Sequence, residues 1–249
     1  MRSPEVRQIA ICQAKGMPIT CESAILDFGC GDGHRVYQLR DMGYRHAYGY
    51  DRGVLMGRTI PVKFRNEEDR NWFRWSDTGI LPYPDESFDL IISDHVFEHV
   101  IDQATAFREQ YRILKPGGVA VHVFPAKWRA IIEPHIYVPL GGFEPFKRRG
   151  WYYLWALLGI RNRYQHGRPS RDIVEWNMRY AKEGLKYLSC RQYRKLFSII
   201  PFRHSWEELT YMQRSYKPRI QRLGALAARL PLLTRVIRTF VERVLFLQK

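Results

Sequence analysis

The sequence predicts a doubly wound α/β domain built on a mostly parallel sheet, and three observations predict it. The run Ala24-Ile25-Leu26-Asp27-Phe28 is short and apolar, and glycines follow at alternate positions, Gly29, Gly31 and Gly33. Such a run reads as a buried strand, and the glycines let the backbone turn sharply and bring its N–H groups close to a ligand. Next, His34 to Met42 reads as a helix stopped by Gly43, so that the unit is strand, glycine turn, helix. Last, 249 residues with 45% hydrophobic content suit one α/β domain with an elaboration, or two small domains.

The other elements follow in order. Pro4 to Lys15 reads as a leading helix with Gly16 as its stop, and His46 to Tyr50 as a second strand ending at Asp51. An acid closing the second strand is where such folds hydrogen-bond a ribose; the alternative is an ordinary helix N-cap. Asn71 to Ser76 reads as strand three, followed by Asp77 and Thr78, and Leu81 to Asp89 as a turn-rich link. Strand four is Leu90 to Ser93, and Asp102 to Leu114 is an amphipathic helix with Ala106, Phe107, Tyr111 and Leu114 on its apolar side. Lys115-Pro116-Gly117-Gly118 ends it, and Val119 to Phe124 is strand five. Ser189 to Ile200 reads as the last crossover helix, and Arg203 to Tyr216 is expected to supply the final antiparallel hairpin, which brings the sheet to seven strands.

The glycine spacing is not the dinucleotide pattern G-x-G-x-x-G. Asp27-Phe28-Gly29-Cys30-Gly31-Asp32-Gly33 resembles motif I of the class I S-adenosylmethionine (SAM)-dependent methyltransferases, Leu-Asp-x-Gly-Cys-Gly-x-Gly. Leu81-Pro82-Tyr83-Pro84-Asp85-Glu86-Ser87-Phe88-Asp89 resembles that family's lead-in to strand four, and Leu114 to Gly118 its Leu-Lys-Pro-Gly-Gly hallmark. Asp94 to Val100 is similar to the x-x-Val-Leu-Glu-His-Val stretch of its small-molecule branch. The resemblance spans residues 24 to about 125 and implies a seven-stranded, Rossmann-like sheet with SAM as cofactor. It implies that Asp27 orders the loop and the ligand amine, that Gly29, Cys30, Gly31 and Gly33 wrap the methionine part, and that Asp51 grips both ribose hydroxyls. It also implies that Asp77 with Thr78 meets the adenine. Arg52, Ser93 and Asp94 complete the expected cofactor set.

Residues 126–188 depart from the family pattern. The stretch is basic and aromatic, and in this fold class an insertion after strand five covers the active site and reads the acceptor; the plainer reading is that its aromatics form its own core. The sequence thus divides into a SAM-binding core at 1–125, a substrate-lid insertion at 126–188, the remainder of the core sheet at 189–216 and a basic amphipathic helical tail at 217–249.

Methyl transfer from a sulfonium needs binding, alignment and exclusion of water. A hydroxyl acceptor also needs a base, and His95 and then His135 are the candidates. His95-Val96-Phe97-Glu98-His99 spells H-x-x-E-H, but the metalloprotease pattern must sit on one long helix and this stretch begins at the end of a strand. No metal is assigned.

The net charge of +15 implies acidic partners, whether nucleic acid, anionic lipid or an anionic substrate. Four cysteines without a C-x-x-C pair indicate neither zinc nor a redox motif, and fit a reducing cytoplasm. The first ten residues lack the apolar core of a signal peptide, and no apolar run reaches the about 18 residues that span a bilayer. In the tail, apolar residues recur at three- and four-residue spacing among arginines, broken at Pro231, which fits a membrane interface, the domain itself or a second subunit as a homodimer. The expected activity is methyl transfer to a hydroxyl of a small molecule, sugar, glycan or lipid-linked acceptor, in the cytoplasm or peripherally on the inner membrane face. An RNA acceptor is the rival, disfavoured by the lack of an appended RNA-binding module. A binding or scaffold protein without turnover is another.

Overall fold

The structure is a computed structural model and describes residues 6–55, 58–59, 62, 64–128, 135–162 and 164–249. One seven-stranded sheet organises it: β1 (Ile25–Phe28), β2 (Ala47–Asp51), β3 (Phe73–Trp75), β4 (Phe88–Asp94), β5 (Leu114–Pro125), β6 (Arg203–Trp206) and β7 (Glu242–Gln248), in spatial order β3-β2-β1-β4-β5-β7-β6. The first five strands pair in parallel, whereas β7 is antiparallel to both β5 and β6. All four residues of β1 are buried, as a parallel strand covered by helices on both faces requires.

Helices α1 (Arg7–Ala14) and α2 (His34–Asp41) cover one face. Ile9, Ile11, Val36 and Leu39 there meet Ile25, Ile92, Val121 and Phe246 of the sheet. Helices α3 (Gln103–Ile113) and α6 (Cys190–Phe197) cover the other, where Phe107, Ile113, Tyr193 and Phe197 meet Leu26, Ile91, Ala120 and Leu247. Asp102 caps α3 by accepting the Thr105 N–H, and a reciprocal Ser189–Gln192 capping box starts α6.

The turn-rich link before β4 is held from one side chain. Arg112 donates to the carbonyls of Leu81 and Tyr83 and to the Asp85 carboxylate, and Glu109 fixes its guanidinium from one helical turn back. Lys115 meanwhile pairs with Asp89. The second and third family stretches are therefore structural, holding β4 and β5 in register.

Two expectations fail. The final hairpin is not contained in 203–216: only β6 lies there, and 208–213 is a short helix, α7 (Glu208–Gln213). Its partner strand is β7, from the end of the chain, so residues 217–249 are two helices, α8 (Pro218–Arg229) and α9 (Pro231–Phe240), followed by a strand inside the sheet. Burial decides this, because Val244, Leu245, Phe246 and Leu247 are enclosed between β5 and β6. In addition, β5 begins at Leu114, before the Lys-Pro-Gly-Gly stretch.

Between β5 and α6, α4 (Arg149–Leu157) and α5 (Ser170–Glu183) carry their own apolar core, with Ile136, Val138, Tyr152, Ala156, Ile173 and Val174 buried together. The plainer reading of the aromatics holds for Tyr152, Trp151 and Trp155, which serve this core; the Tyr152 hydroxyl donates to the Gly141 carbonyl and Trp151 to that of Pro139. The unit is tied to the end of β4, where Lys186 N–H donates to the Glu98 carbonyl and Gln103 to that of Lys186. It therefore lies beside the site described next.

Candidate cofactor and acceptor site

The parallel register brings the carboxyl ends of β1, β2, β3 and β4 to one edge, and the strand order reverses between β1 and β4. Crevices at that point are where such sheets bind ligands. The glycine turn leaves β1 there. Gly29 N–H and Cys30 N–H both donate to the Tyr50 carbonyl, which ties the turn to β2. A side chain on Gly29 would come within 2.4 Å of Val96, whereas one on Gly31, at φ +53°, would meet nothing within 4 Å. Gly29 is thus required by packing, and Gly31 faces open space.

Asp51, at the end of β2, accepts from Gly31 N–H through Oδ2 and from Gly53 N–H through Oδ1, both at 2.9 Å. It caps no helix: among the described residues, the pairs Val54–Thr59 and Leu55–Arg58 follow it as a hairpin. Asp51 thus ties the glycine turn to the loop after β2, and each of its oxygens keeps a lone pair. Asp77 and Thr78 are exposed at the end of β3, where Thr78 Oγ1 lies 2.8 Å from Ser76 Oγ, and Arg52 is exposed beside Asp51.

The crevice is acidic although the chain carries +15. Burial pushes the Asp27 carboxyl up to about 7; Arg35 opposes the shift, and the nearby charges of Asp94, Asp51 and Asp32 add to it. Burial likewise raises Asp94, whose carboxylate lies 3.3 Å from Arg35. Crowded carboxylates of this kind favour a cation over a pyrophosphate. SAM, a sulfonium bearing an ammonium group, is a cation of this kind.

Two expected cofactor residues do not present side chains to this space. Cys30 is buried beneath β2, where a side chain on Gly49 would stand 2.8 Å from its sulfur, and burial drives its thiol upward, leaving it an un-ionised packing group. Ser93 is buried and its Oγ lies 2.8 Å from His122 Nδ1 across the β4–β5 pair. Burial holds His122 neutral, down to about 3.

At the head of β4, His95 has φ +55°, an uncommon conformation for a non-glycine residue. Its Nε2 lies 3.3 Å from Glu242 Oε1 and its Nδ1 3.5 Å from Glu98 Oε1. Hydrogen bonding to Glu242, then to Glu98, raises the imidazole to about 10. The two carboxylates therefore favour the imidazolium form of His95, in which it donates to them. Glu98 is fully buried and Glu242 opens β7 opposite Pro125. Sequence reading missed Glu242 because its strand lay hidden in the tail; the signal was that it is the sole acid among residues 217–249.

His135, the second candidate base, lies in the insertion with its ring 4.9 Å from that of His99 and 5.5 Å from that of Tyr180. His99 Nδ1 lies 2.8 Å from the Gly184 carbonyl. Glu133 and Pro134, which precede it, lie outside the described residues. Phe97 to His99 form one 3-10 turn, not the long helix of a metalloprotease.

Comparison with known proteins agrees with this fold. Residues 26–122 match the family described as methyltransferase domain. The 27-O-demethylrifamycin SV methyltransferase of Amycolatopsis mediterranei is 30% identical over 105 residues, 41% of this chain and 38% of that protein. Phosphoethanolamine N-methyltransferase 1 of Arabidopsis thaliana is 33% identical over 99 residues, 38% of this chain and 19% of that one. Among solved structures, a SAM-dependent methyltransferase from Mesorhizobium loti superposes with a TM-score of 0.51 at 16% identity, covering 98% of both chains, and shares the fold. The chain spans less than half the length of these curated relatives. Residues 26–122 thus match a methyltransferase domain, and the chain shares the fold of a SAM-dependent methyltransferase, for which SAM is the cofactor.

Proposed function

We propose that the protein transfers the methyl group of SAM to a hydroxyl of a small-molecule, sugar, glycan or lipid-linked acceptor. The observation that carries this reading is the His95–Glu242 pair at the head of β4, beside the acidic crevice. When bound, SAM supplies a methyl group already activated as a sulfonium. Asp27, Asp51 and the loop amides hold and orient the cofactor, and the insertion excludes water. Around the acceptor, the His95 N–H donates and holds the Glu242 carboxylate in place, and Glu242 Oε1 takes the hydroxyl proton as the oxygen is methylated. The names of the two relatives above divide between an O- and an N-methyltransferase; the carboxylate of the pair is placed to take the proton that a hydroxyl must lose.

Thermal melting tests the cofactor half. S-adenosylhomocysteine, binding only the native state, raises Tm by roughly 5–10 °C at a hundredfold excess over Kd; NAD gives no shift, and Asp51→Ala loses most of the shift. Stabilisation by NAD alone overturns the assignment.

The acceptor half is tested with methyl-tritiated SAM and, separately, a lipid extract, a soluble metabolite extract and total RNA. The expected label is alkali-stable and enters the lipid or metabolite fraction. Glu242→Gln cuts that rate about a hundredfold or more and leaves the melting shift intact. The charge of +15 keeps RNA as the second reading, and label entering RNA alone replaces the hydroxyl-metabolite reading with it. No label in any fraction, with the melting shift intact, favours a binding protein without turnover.

A further inference from the structure

We infer that α8 and α9 form a docking surface for an anionic lipid bilayer, laid in its interface beside the acceptor site. Residues 218–241 contain five arginines and no acid. Arg238 is paired with Glu208, whereas Arg219, Arg222, Arg229 and Arg235 enter no ion pair among the described residues. The inward side of α8 is closed with small groups: Gly224 and Ala227 are buried, and a side chain on Gly224 would stand 2.9 Å from Met212 of α7. Ile237 seals α9 in the same way. Most of the larger apolar groups of both helices face out. Leu226 is 50% exposed, Leu230 48%, Leu232 74% and Phe240 46%.

Exposed leucines interleaved with arginines that have no acid to meet are the pattern of a helix lying in a membrane interface, apolar side down. Helices of 12 and 10 residues are too short to cross, and among the described residues no helix is long and apolar enough to do so. The charge argues against the other partners. A second copy packed face to face would oppose arginine with arginine, because an isologous contact pairs a surface with itself. RNA would satisfy the arginines but leave the leucines in water. An anionic bilayer answers both, attracting each cation at its surface and burying the leucines at the acyl boundary.

The position of the face gives it a purpose. Phe240 and Val241 run straight into Glu242, the Val241 carbonyl accepts from Ala126 N–H at 3.4 Å, and Glu242 reaches His95 at 3.3 Å. The apolar surface thus ends at the mouth of the acceptor site, so that an acceptor held in the bilayer by a hydrocarbon chain would present its head group there. Only this last step rests on the acceptor reading above.

The test is co-sedimentation of the full-length protein with vesicles of phosphatidylcholine alone or mixed with phosphatidylglycerol, without cofactor or acceptor. The protein is expected to pellet with the mixed vesicles, to stay in solution with the neutral ones, and to be released by high salt. Leu226→Glu with Leu230→Glu, and separately Arg222→Glu with Arg229→Glu, should each lower partitioning about tenfold or more. Both pairs are exposed, so the fold and the S-adenosylhomocysteine melting shift serve as controls and should be unchanged. Equal pelleting with neutral vesicles, no pelleting, or full binding by both double variants overturns the inference. A concentration-dependent dimer in sedimentation equilibrium, abolished by the leucine pair, overturns it in favour of a second copy. A protein that binds vesicles without transferring methyl groups fails the acceptor reading and not this one.

Discussion

A chain ended at Tyr216 does not fold. The deletion removes β7, which is hydrogen-bonded to β5 on one side and β6 on the other, so β6 loses the only sheet partner it has among the described residues. It also removes four fully buried side chains, Val244, Leu245, Phe246 and Leu247. Each is worth about 1.5–3 kcal/mol of burial, so the four together reach roughly 6–12 kcal/mol. A domain of ordinary stability has about 5–15 kcal/mol in all, and the deletion further exposes Val121, Val123 and Ala120 of β5. Circular dichroism and a thermal melt check this: the full chain melts cooperatively, and the shortened one shows neither a cooperative transition nor a response to S-adenosylhomocysteine. A cooperative melt within a few degrees of the full chain would place the stabilising packing elsewhere. The milder change Leu245→Ala, which leaves the strand in place, should lower stability by about 2–5 kcal/mol.

That outcome also explains where sequence reading stops. The glycine turn and the strand before it were legible because their signals are local: an apolar run, alternate glycines and a helix start lie within about two turns of chain. Asp51 was legible for the same reason, since it ends a strand whose length the flanking residues define. β7 was not. Val244 to Leu247 is a short apolar run, but it continues the three- and four-residue spacing of Val236, Ile237 and Phe240, and only pairing with β5 makes it a strand. Glu242 was hidden with it, as the partner that brings His95 and Glu242 together is a sheet contact between distant parts of the chain. Ser93 and Cys30 show another limit. Both sit within the stretch that carries the resemblance, yet the Ser93 hydroxyl meets His122 across the β4–β5 pair and the Cys30 thiol is buried beside Gly49. Position in a motif names the neighbourhood of a side chain, not its direction.

Cofactor affinity is expected to fall about tenfold per pH unit below pH 7 and to level off above it. The cause is Asp27. Its carboxyl stands at about 7 in the folded protein against 3.8 as the ordinary value, chiefly through burial. Between those two values the folded protein holds a proton that the unfolded chain does not, so this group lowers stability as pH rises through the window. A cationic ligand reverses the preference, because the ionised carboxylate is the form that attracts it. Binding below pH 7 must then expel one proton, and affinity declines as protons become plentiful; above pH 7 the carboxylate is already ionised and the dependence ends. Asp27→Asn separates this from any titration of the ligand itself, since the ligand is common to both proteins. The variant should bind more weakly at pH 8 and lose the slope between pH 5 and 7 that distinguishes the native protein. Calorimetric titration with S-adenosylhomocysteine in two buffers of different ionisation enthalpy reads the proton directly, with about one released per ligand at pH 6 and almost none at pH 8. Equal slopes in the two proteins would mean that Asp27 keeps its proton state on binding, and that its role is to order the glycine turn rather than to meet the cation.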